Sequence, residues 1–228
     1  MRRILLGIAL AASIAAASAE ERFDYQVRGD MFRGFKGDEA AFNKAMSTID
    51  RRLAAQPDDA EGLVWRGVGR YWQAGQAFRT GNEAKARDLA TAAMADLDRA
   101  VALAPASIDV LIPRAGVLLA AAREARDPMK ARELAGRAAD GYEKAFALRG
   151  DRFAQLGVHN RGEYLAGLAE SWAIVGDREK SEAYLRRILA ELPATPYARR
   201  ASEKLADWND RRGLNCLTCH SRNDRGTP

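Results

Sequence analysis

The residues with the clearest chemistry lie near the end of the chain, in the stretch Cys216-Leu217-Thr218-Cys219-His220. This stretch contains both cysteines and one of the two histidines of the protein. Its C-x-x-C-H spacing is the attachment pattern of c-type haem. Two thiols one helical turn apart can each form a thioether with a haem vinyl group, and the following histidine then lies under the iron. We therefore predict one covalent haem c, attached through Cys216 and Cys219, with His220 as proximal ligand.

Other uses of the two cysteines stay open at this point. They could form a small-loop disulfide or remain as free thiols. Together with His220 they could supply three of the four ligands of a zinc site shared between two chains. A thioredoxin-like dithiol is a further alternative, although the sequence shows no βαβ context for one.

The sixth position of the iron has several candidates in the sequence. His159 is the only other histidine and could be the distal ligand; alternatively it is an ordinary polar residue at the start of a helix. The remaining candidates are Met31, Met46, Met94 and Met129. Because Met46 and Met94 fall on apolar helix faces, they are more simply explained as core residues.

The motif has little chain around it. Only eight residues follow His220, so a compact cytochrome domain does not fit there. The preceding helical domain or a partner would have to cover one face of the haem. The arginines near the motif could pair with haem propionates or be solvated charges of a tail, and they are Arg211, Arg212, Arg222 and Arg225.

The N-terminus predicts export. Residues 1–3 carry two arginines, residues 4–16 are an apolar run, and Ala17-Ser18-Ala19 is a small-residue cleavage site. We interpret residues 1–19 as a secretory signal peptide, with a retained N-terminal anchor as the alternative. Export to a bacterial periplasm agrees with the motif, since c-type haem is attached on the outer face of the membrane.

Composition limits the class of protein. The 228 residues carry 36 basic and 31 acidic side chains, a formal net charge of +5, and the charges are interspersed along the chain. This pattern is typical of a solvated helical surface and predicts no nucleic-acid binding. Beyond the signal no segment is apolar enough to cross a membrane. The sequence has no Gly-rich phosphate loop and no Gly-x-Ser-x-Gly elbow, so we predict no enzymatic activity.

An all-α fold is predicted from the abundance of Ala, Leu, Arg and Glu and from apolar residues at spacings of three and four. The first such face consists of Phe42, Ala45, Met46, Ile49 and Leu53. We expect a loose arm or short helix over residues 20–37, a helical domain over residues 38–210 and a tail over residues 211–228. The expected N-caps are Asp38, Ser107, Asp127 and Asp177, and the expected breaks between helices are at Pro57, Gly81-Asn82, Pro105, Gly150, Gly176 and Pro193.

The helical domain resembles the tetratricopeptide (TPR) repeat family. The segment from Gly162 to Thr195 matches the 34-residue pattern without a gap, through Leu165, Leu168, Ala169, Trp172, Gly176, Ser181, Leu185 and Pro193. The first two full units are longer, with extra turns expected near residues 76–85 and 121–127, and Pro113 replaces an aromatic residue. The resemblance implies a right-handed α-solenoid of antiparallel helix pairs, with a groove for a peptide or partner helix.

Two functions follow as expectations. The first is a periplasmic TPR-like scaffold with one haem c, acting in electron transfer or as an accessory to a redox complex. The second is a haem-free periplasmic adapter that binds a protein or peptide in its groove, the cysteine pair being a disulfide or half of a metal site.

Overall fold

A computed structural model of the chain describes residues 22–210 and 212–214. These residues form nine α-helices and one 3-10 helix, and none of them lies in a β-strand. The prediction of an all-α fold is therefore confirmed. In chain order the elements are α1 (Phe23–Phe35), α2 (Glu39–Ala55), α3 (Ala60–Arg79), α4 (Glu83–Leu103), α5 (Ile108–Glu124), α6 (Pro128–Arg149), the 3-10 helix (Gly150–Gln155), α7 (Val158–Val175), α8 (Arg178–Glu191) and α9 (Pro196–Ala206).

Most helices begin where a side chain can replace a missing backbone partner. Asp38 accepts a hydrogen bond from the Ala41 amide at 2.9 Å, and Asp177 accepts one from the Lys180 amide at 3.0 Å. Both bonds satisfy first-turn amides that have no partner inside the helix. Ser107 occupies the predicted N-cap position of α5, but its side chain makes no capping hydrogen bond.

Of the extra residues expected near 76–85 and 121–127, all but residues 80–82 and 125–127 lie inside helices. Helices α3, α4 and α6 have 20, 21 and 22 residues. Helix α5 continues through Pro113, which stands in its second turn and lacks the amide that would bond the carbonyl of Asp109. The 3-10 helix after α6 was not expected from the sequence; its Phe153 is buried and packs against Phe146 and Tyr164.

The predicted N-terminal arm contains helix α1. Phe23 and Met31 of this helix are buried, whereas Tyr25 and Phe32 remain largely exposed. The ring of Phe35 lies 5.7 Å from the ring of Trp72 on α3, and α1 contacts both α2 and α3. Helix α1 therefore closes the end of the apolar core formed by α2 and α3.

Contacts between helices follow a regular order. Each odd-numbered helix from α1 to α7 packs on the even-numbered helix that follows it. The odd-numbered helices also contact one another in series, α1 with α3, α3 with α5, α5 with α7 and α7 with α9. Each apolar face is thereby buried against at least two neighbours, as a helix with an apolar stripe requires.

Helices α6 and α7 approach closely because Gly167 has no side chain. A Cβ atom at this position would lie 2.5 Å from Cζ of Tyr142, whose ring is buried between the two helices. Gly136 on α6 offers a contrast, because a Cβ there would meet nothing within 4 Å. One glycine is therefore needed for packing and the other is not.

We predict that Gly167→Ala lowers the free energy of unfolding by about 1–2 kcal/mol, because overpacking outweighs the gain in helix propensity. The matched control Gly136→Ala should raise that free energy by up to about 1 kcal/mol. Urea unfolding followed by circular dichroism measures both. Equal effects of the two substitutions would contradict the close approach at Gly167.

Candidate functional site

The three residues predicted to hold haem, Cys216, Cys219 and His220, lie outside the described residues. The structure follows the chain as far as Leu214, two positions before the first cysteine. What it adds is the way in which the chain is held just before the motif. We call the residues responsible the C-terminal anchor: Arg123, Glu170, Arg200, Asp210 and Leu214.

Leu214 is held through both its side chain and its backbone. The side chain is 3% exposed and packs in the apolar cluster of α7, α8 and α9, which includes Leu165, Tyr197 and Ala201. The backbone amide donates a hydrogen bond to Oε2 of Glu170 at 3.0 Å. The segment after α9 therefore returns to α7 and joins the core there.

Glu170 is a buried carboxylate on α7. Both of its oxygens accept hydrogen bonds from the Arg123 guanidinium of α5, through Nε to Oε1 and through Nη2 to Oε2 at 2.6 Å. This bidentate geometry gives a strong charge-assisted pair. Burial alone would lower the pKa of Arg123, but the hydrogen bond and the charge of Glu170 raise it, so the guanidinium stays charged.

Arg200 holds the segment from the side of α9. Its guanidinium donates to the carbonyl oxygen of Arg212 at 3.0 Å and to that of Gly213 at 3.4 Å. It also contacts Oδ2 of Asp210 at 3.3 Å and forms a close ion pair with Glu203. The Arg200 side chain is only 8% exposed, so a buried cation compensates the carbonyl groups of this turn.

The pKa values of two titratable groups near this turn are both lowered, but for different physical reasons. Hydrogen bonds from the side chain of Arg212 hold the pKa of Asp210 well below its usual range, against a smaller opposing effect of burial. Burial lowers the pKa of Lys204, although the charges of Asp210 and Glu170 oppose it. The Lys204 ammonium donates to the carbonyls of Trp208 and Asp210 at 2.7 Å each. Arg212, one of the possible propionate partners, is thus already paired with Asp210; Arg211, Arg222 and Arg225 lie outside the described residues.

His159 lies at the start of α7, as the second residue of that helix, and is exposed. Its Nδ1 is 3.1 Å from the hydroxyl of Tyr197 on α9, and that hydroxyl donates to Oε1 of Glu163 at 2.7 Å. His159, Glu163 and Glu170 are spaced by four and seven residues and therefore share one face of α7. The separation of eleven positions between His159 and Glu170 corresponds to about 16 Å along the helix axis.

The methionines differ in their suitability as iron ligands. Met31 is fully buried, and Met46 and Met94 pack against the apolar clusters, as expected for core residues. Met129 is 79% exposed. A buried core thioether can reach an iron only if the core opens, so His159 and Met129 are the accessible candidates on the described helices.

The donor set of the motif fits haem c, because it contains two thiols and one imidazole at the required spacing. His159 adds a second imidazole on the face of α7 that also receives Leu214. Elsewhere in residues 22–210 and 212–214, no group of three or more His, Cys, Asp or Glu side chains is arranged to hold a metal ion. Among the helices of the same residues, none is long and apolar enough to span a membrane.

Sequence reasoning missed the C-terminal anchor. One available signal was Glu170 itself, a charged residue within the apolar run from Tyr164 to Ser171. A carboxylate at such a position must find buried partners. The identity of those partners was not visible, because Arg123 and Leu214 are 47 and 44 residues away.

Comparisons of this chain with protein-family models, with curated proteins and with solved structures give no match. The class defined by the structure is an all-helical protein whose chain returns to the core immediately before a C-x-x-C-H motif.

We predict that Arg123→Met lowers the free energy of unfolding by about 2–3 kcal/mol, because it leaves the buried Glu170 carboxylate without its cation. The control is Arg87→Met, which removes an exposed pair with Glu83 and should change stability by less than about 0.5 kcal/mol. Thermal and urea unfolding measure both variants. If Arg123→Met lowers the free energy of unfolding no more than the control does, the pair of Arg123 and Glu170 does not stabilise the fold.

Proposed function

We propose that this chain is an exported helical-repeat protein that carries one covalent haem c and acts in electron transfer or as an accessory to a redox complex. The observation that carries the proposal is the C-x-x-C-H motif two residues after the anchored Leu214. A motif that begins at a fixed point of the fold can hold a cofactor in a defined position. Such a position is what electron transfer to a partner requires.

The proposed residue roles follow from the chemistry of the donor set. Cys216 and Cys219 form the two thioethers, and His220 binds the iron from the proximal side. When bound, haem c supplies one-electron redox chemistry. Export of the chain, with residues 1–19 removed as a signal peptide, brings the thiols into the periplasm, where haem attachment takes place.

The proposed scaffold is a right-handed α-solenoid of TPR-like antiparallel helix pairs over residues 38–210. The serial contacts among odd-numbered helices support it, because first helices of successive pairs contact one another in such an array. The proposed partner is a protein or peptide, such as a redox protein, that binds along these helices. The TPR resemblance of the segment from Gly162 to Thr195 supports this role.

The first test is covalent attachment. Full-length chain produced in a host that attaches haem c should give, at the mature size, a band that stains for haem peroxidase activity after denaturing electrophoresis. Cys216→Ser and Cys219→Ser should each abolish normal attachment, because each removes one thioether. Both should leave the far-ultraviolet circular dichroism of the nine described helices unchanged, since all of these lie before the motif.

Thr218→Ala is the matched control, because it changes the motif and keeps both thiols. Its haem stain should equal that of the unmodified chain. An unstained band of mature size from the unmodified chain would exclude the haem function and favour the haem-free adapter. Full haem in either cysteine variant would contradict the assigned thioethers.

A second prediction concerns the distal position of the iron. His159→Ala should convert a low-spin ferric haem with two histidine ligands to a high-spin form, because it removes the second imidazole. Visible absorption and electron paramagnetic resonance distinguish the two states. The hydrogen bond between Nδ1 and Tyr197 is the kind that orients a ligating imidazole.

Tyr197→Phe serves as the control for this change, since it removes the hydroxyl next to Nδ1 and keeps the imidazole. It should retain the low-spin spectrum. If His159→Ala also stays low-spin while haem remains attached, another residue fills the sixth position.

A further inference from the structure

Glu170 joins three parts of the molecule at one buried carboxylate. It belongs to α7, it pairs with Arg123 of α5, and it accepts the backbone amide of Leu214 from the segment after α9. The whole residue is only 8% exposed. Its contacts therefore replace water almost completely, and loss of any one of them leaves a polar group buried without a partner.

A comparison with Asp96 shows what is unusual in this arrangement. Asp96 is buried to a similar degree on α4 and accepts hydrogen bonds from the side chains of Arg66 and Arg70 on α3. Those bonds join two consecutive helices. Glu170 also accepts a backbone amide of the segment that leads directly to the motif.

The need for stability alone does not explain a buried ion pair, because apolar residues of similar volume often stabilise a core equally well. An apolar side chain at position 170 could pack against α5, but it could not accept the Leu214 amide. The carboxylate therefore adds a directional contact to the C-terminal segment.

We propose that Glu170 is a positioning residue for the C-x-x-C-H motif. By holding the Leu214 amide, it fixes the point from which the chain continues to Cys216. Only two peptide bonds then separate the anchored Leu214 from Cys216. This inference rests on the proposed function in taking the motif as the haem site, but the contact can be tested with or without haem.

Arg123 and Arg200 have separate parts in this role. Arg123 neutralises Glu170 and holds its carboxylate plane through two hydrogen bonds. Arg200 holds the carbonyls of Arg212 and Gly213, so the turn before Leu214 has its own support. Loss of Glu170 should release Leu214 while this turn remains in place.

The test uses the full mature chain and measures hydrogen exchange at the Leu214 amide by nuclear magnetic resonance. In Glu170→Ala this amide should exchange at least about tenfold faster, because its acceptor is gone. The amides of α8 should keep their protection. Glu170→Gln should restore part of the protection, because a side-chain amide oxygen can still accept the bond.

Glu133→Ala and Glu133→Gln are the matched controls, since Glu133 forms an exposed pair with Lys130. Neither should change exchange at Leu214. Unchanged exchange in Glu170→Ala would overturn the proposal. So would equal loss of protection in Glu170→Ala and Glu170→Gln together with loss throughout α8, which would mean that Glu170 acts only through global stability.

The midpoint potential of the haem-loaded protein is a second measurement. A contact that serves only the stability of the fold would leave this potential unchanged. The midpoint potential should fall in Leu214→Pro, because proline removes the amide donor and a haem released toward water has a lower potential. This variant keeps the charges of Glu170 and Arg123, so the change does not come from a lost charge. Leu214→Pro also covers the case in which Glu170→Ala does not fold.

The two proposals fail in different ways. Absence of covalent haem in the unmodified chain refutes the haem function, and exchange at Leu214 then decides whether Glu170 holds the segment. Attached haem with unchanged exchange and potential in the variants refutes the positioning role and leaves the haem function intact.

Discussion

Burial of an apolar face on every helix is the constraint from which the rest of this structure follows. A single helix cannot remove such a face from water, so each one packs on the helix that follows it and on a helix of the neighbouring pair. Close approach of α6 and α7 then requires a residue without a side chain, and Gly167 leaves the space that the Tyr142 ring occupies. Contacts between neighbouring helices join the whole series from α1 to α9.

The charged residues that are buried in the described part of the chain all form ion pairs, and they are Asp24, Asp96, Glu170 and Arg200. Asp96 is neutralised by two arginines of the adjacent helix, and Glu170 by Arg123. Each pair costs desolvation, and the cost is offset by several hydrogen bonds in a region of low dielectric constant. Glu170 differs because it also accepts a hydrogen bond from the backbone amide of Leu214. This carboxylate of α7 therefore also positions the segment after α9.

This positioning matters because the C-x-x-C-H motif begins only two positions after the anchored Leu214. A haem attached at Cys216 would therefore lie near the helical domain. The C-terminal anchor provides a physical link between that domain and the motif, and the face of α7 that holds Leu214 also carries His159.

The helices could be predicted from the sequence because their signals are local. Caps such as Asp38 and Asp177 act within four residues, and apolar spacings of three and four define one face of each helix. The 3-10 helix that follows α6, in contrast, gave no recognisable pattern in the sequence. The spacing of Cys216, Cys219 and His220 is likewise local, and it carries the chemical proposal. The anchor was decided only by tertiary structure, because no local pattern relates Glu170 to an arginine 47 residues before it or to an amide 44 residues after it. Such a contact depends on how whole helices pack, since packing alone brings the three groups within hydrogen-bond distance.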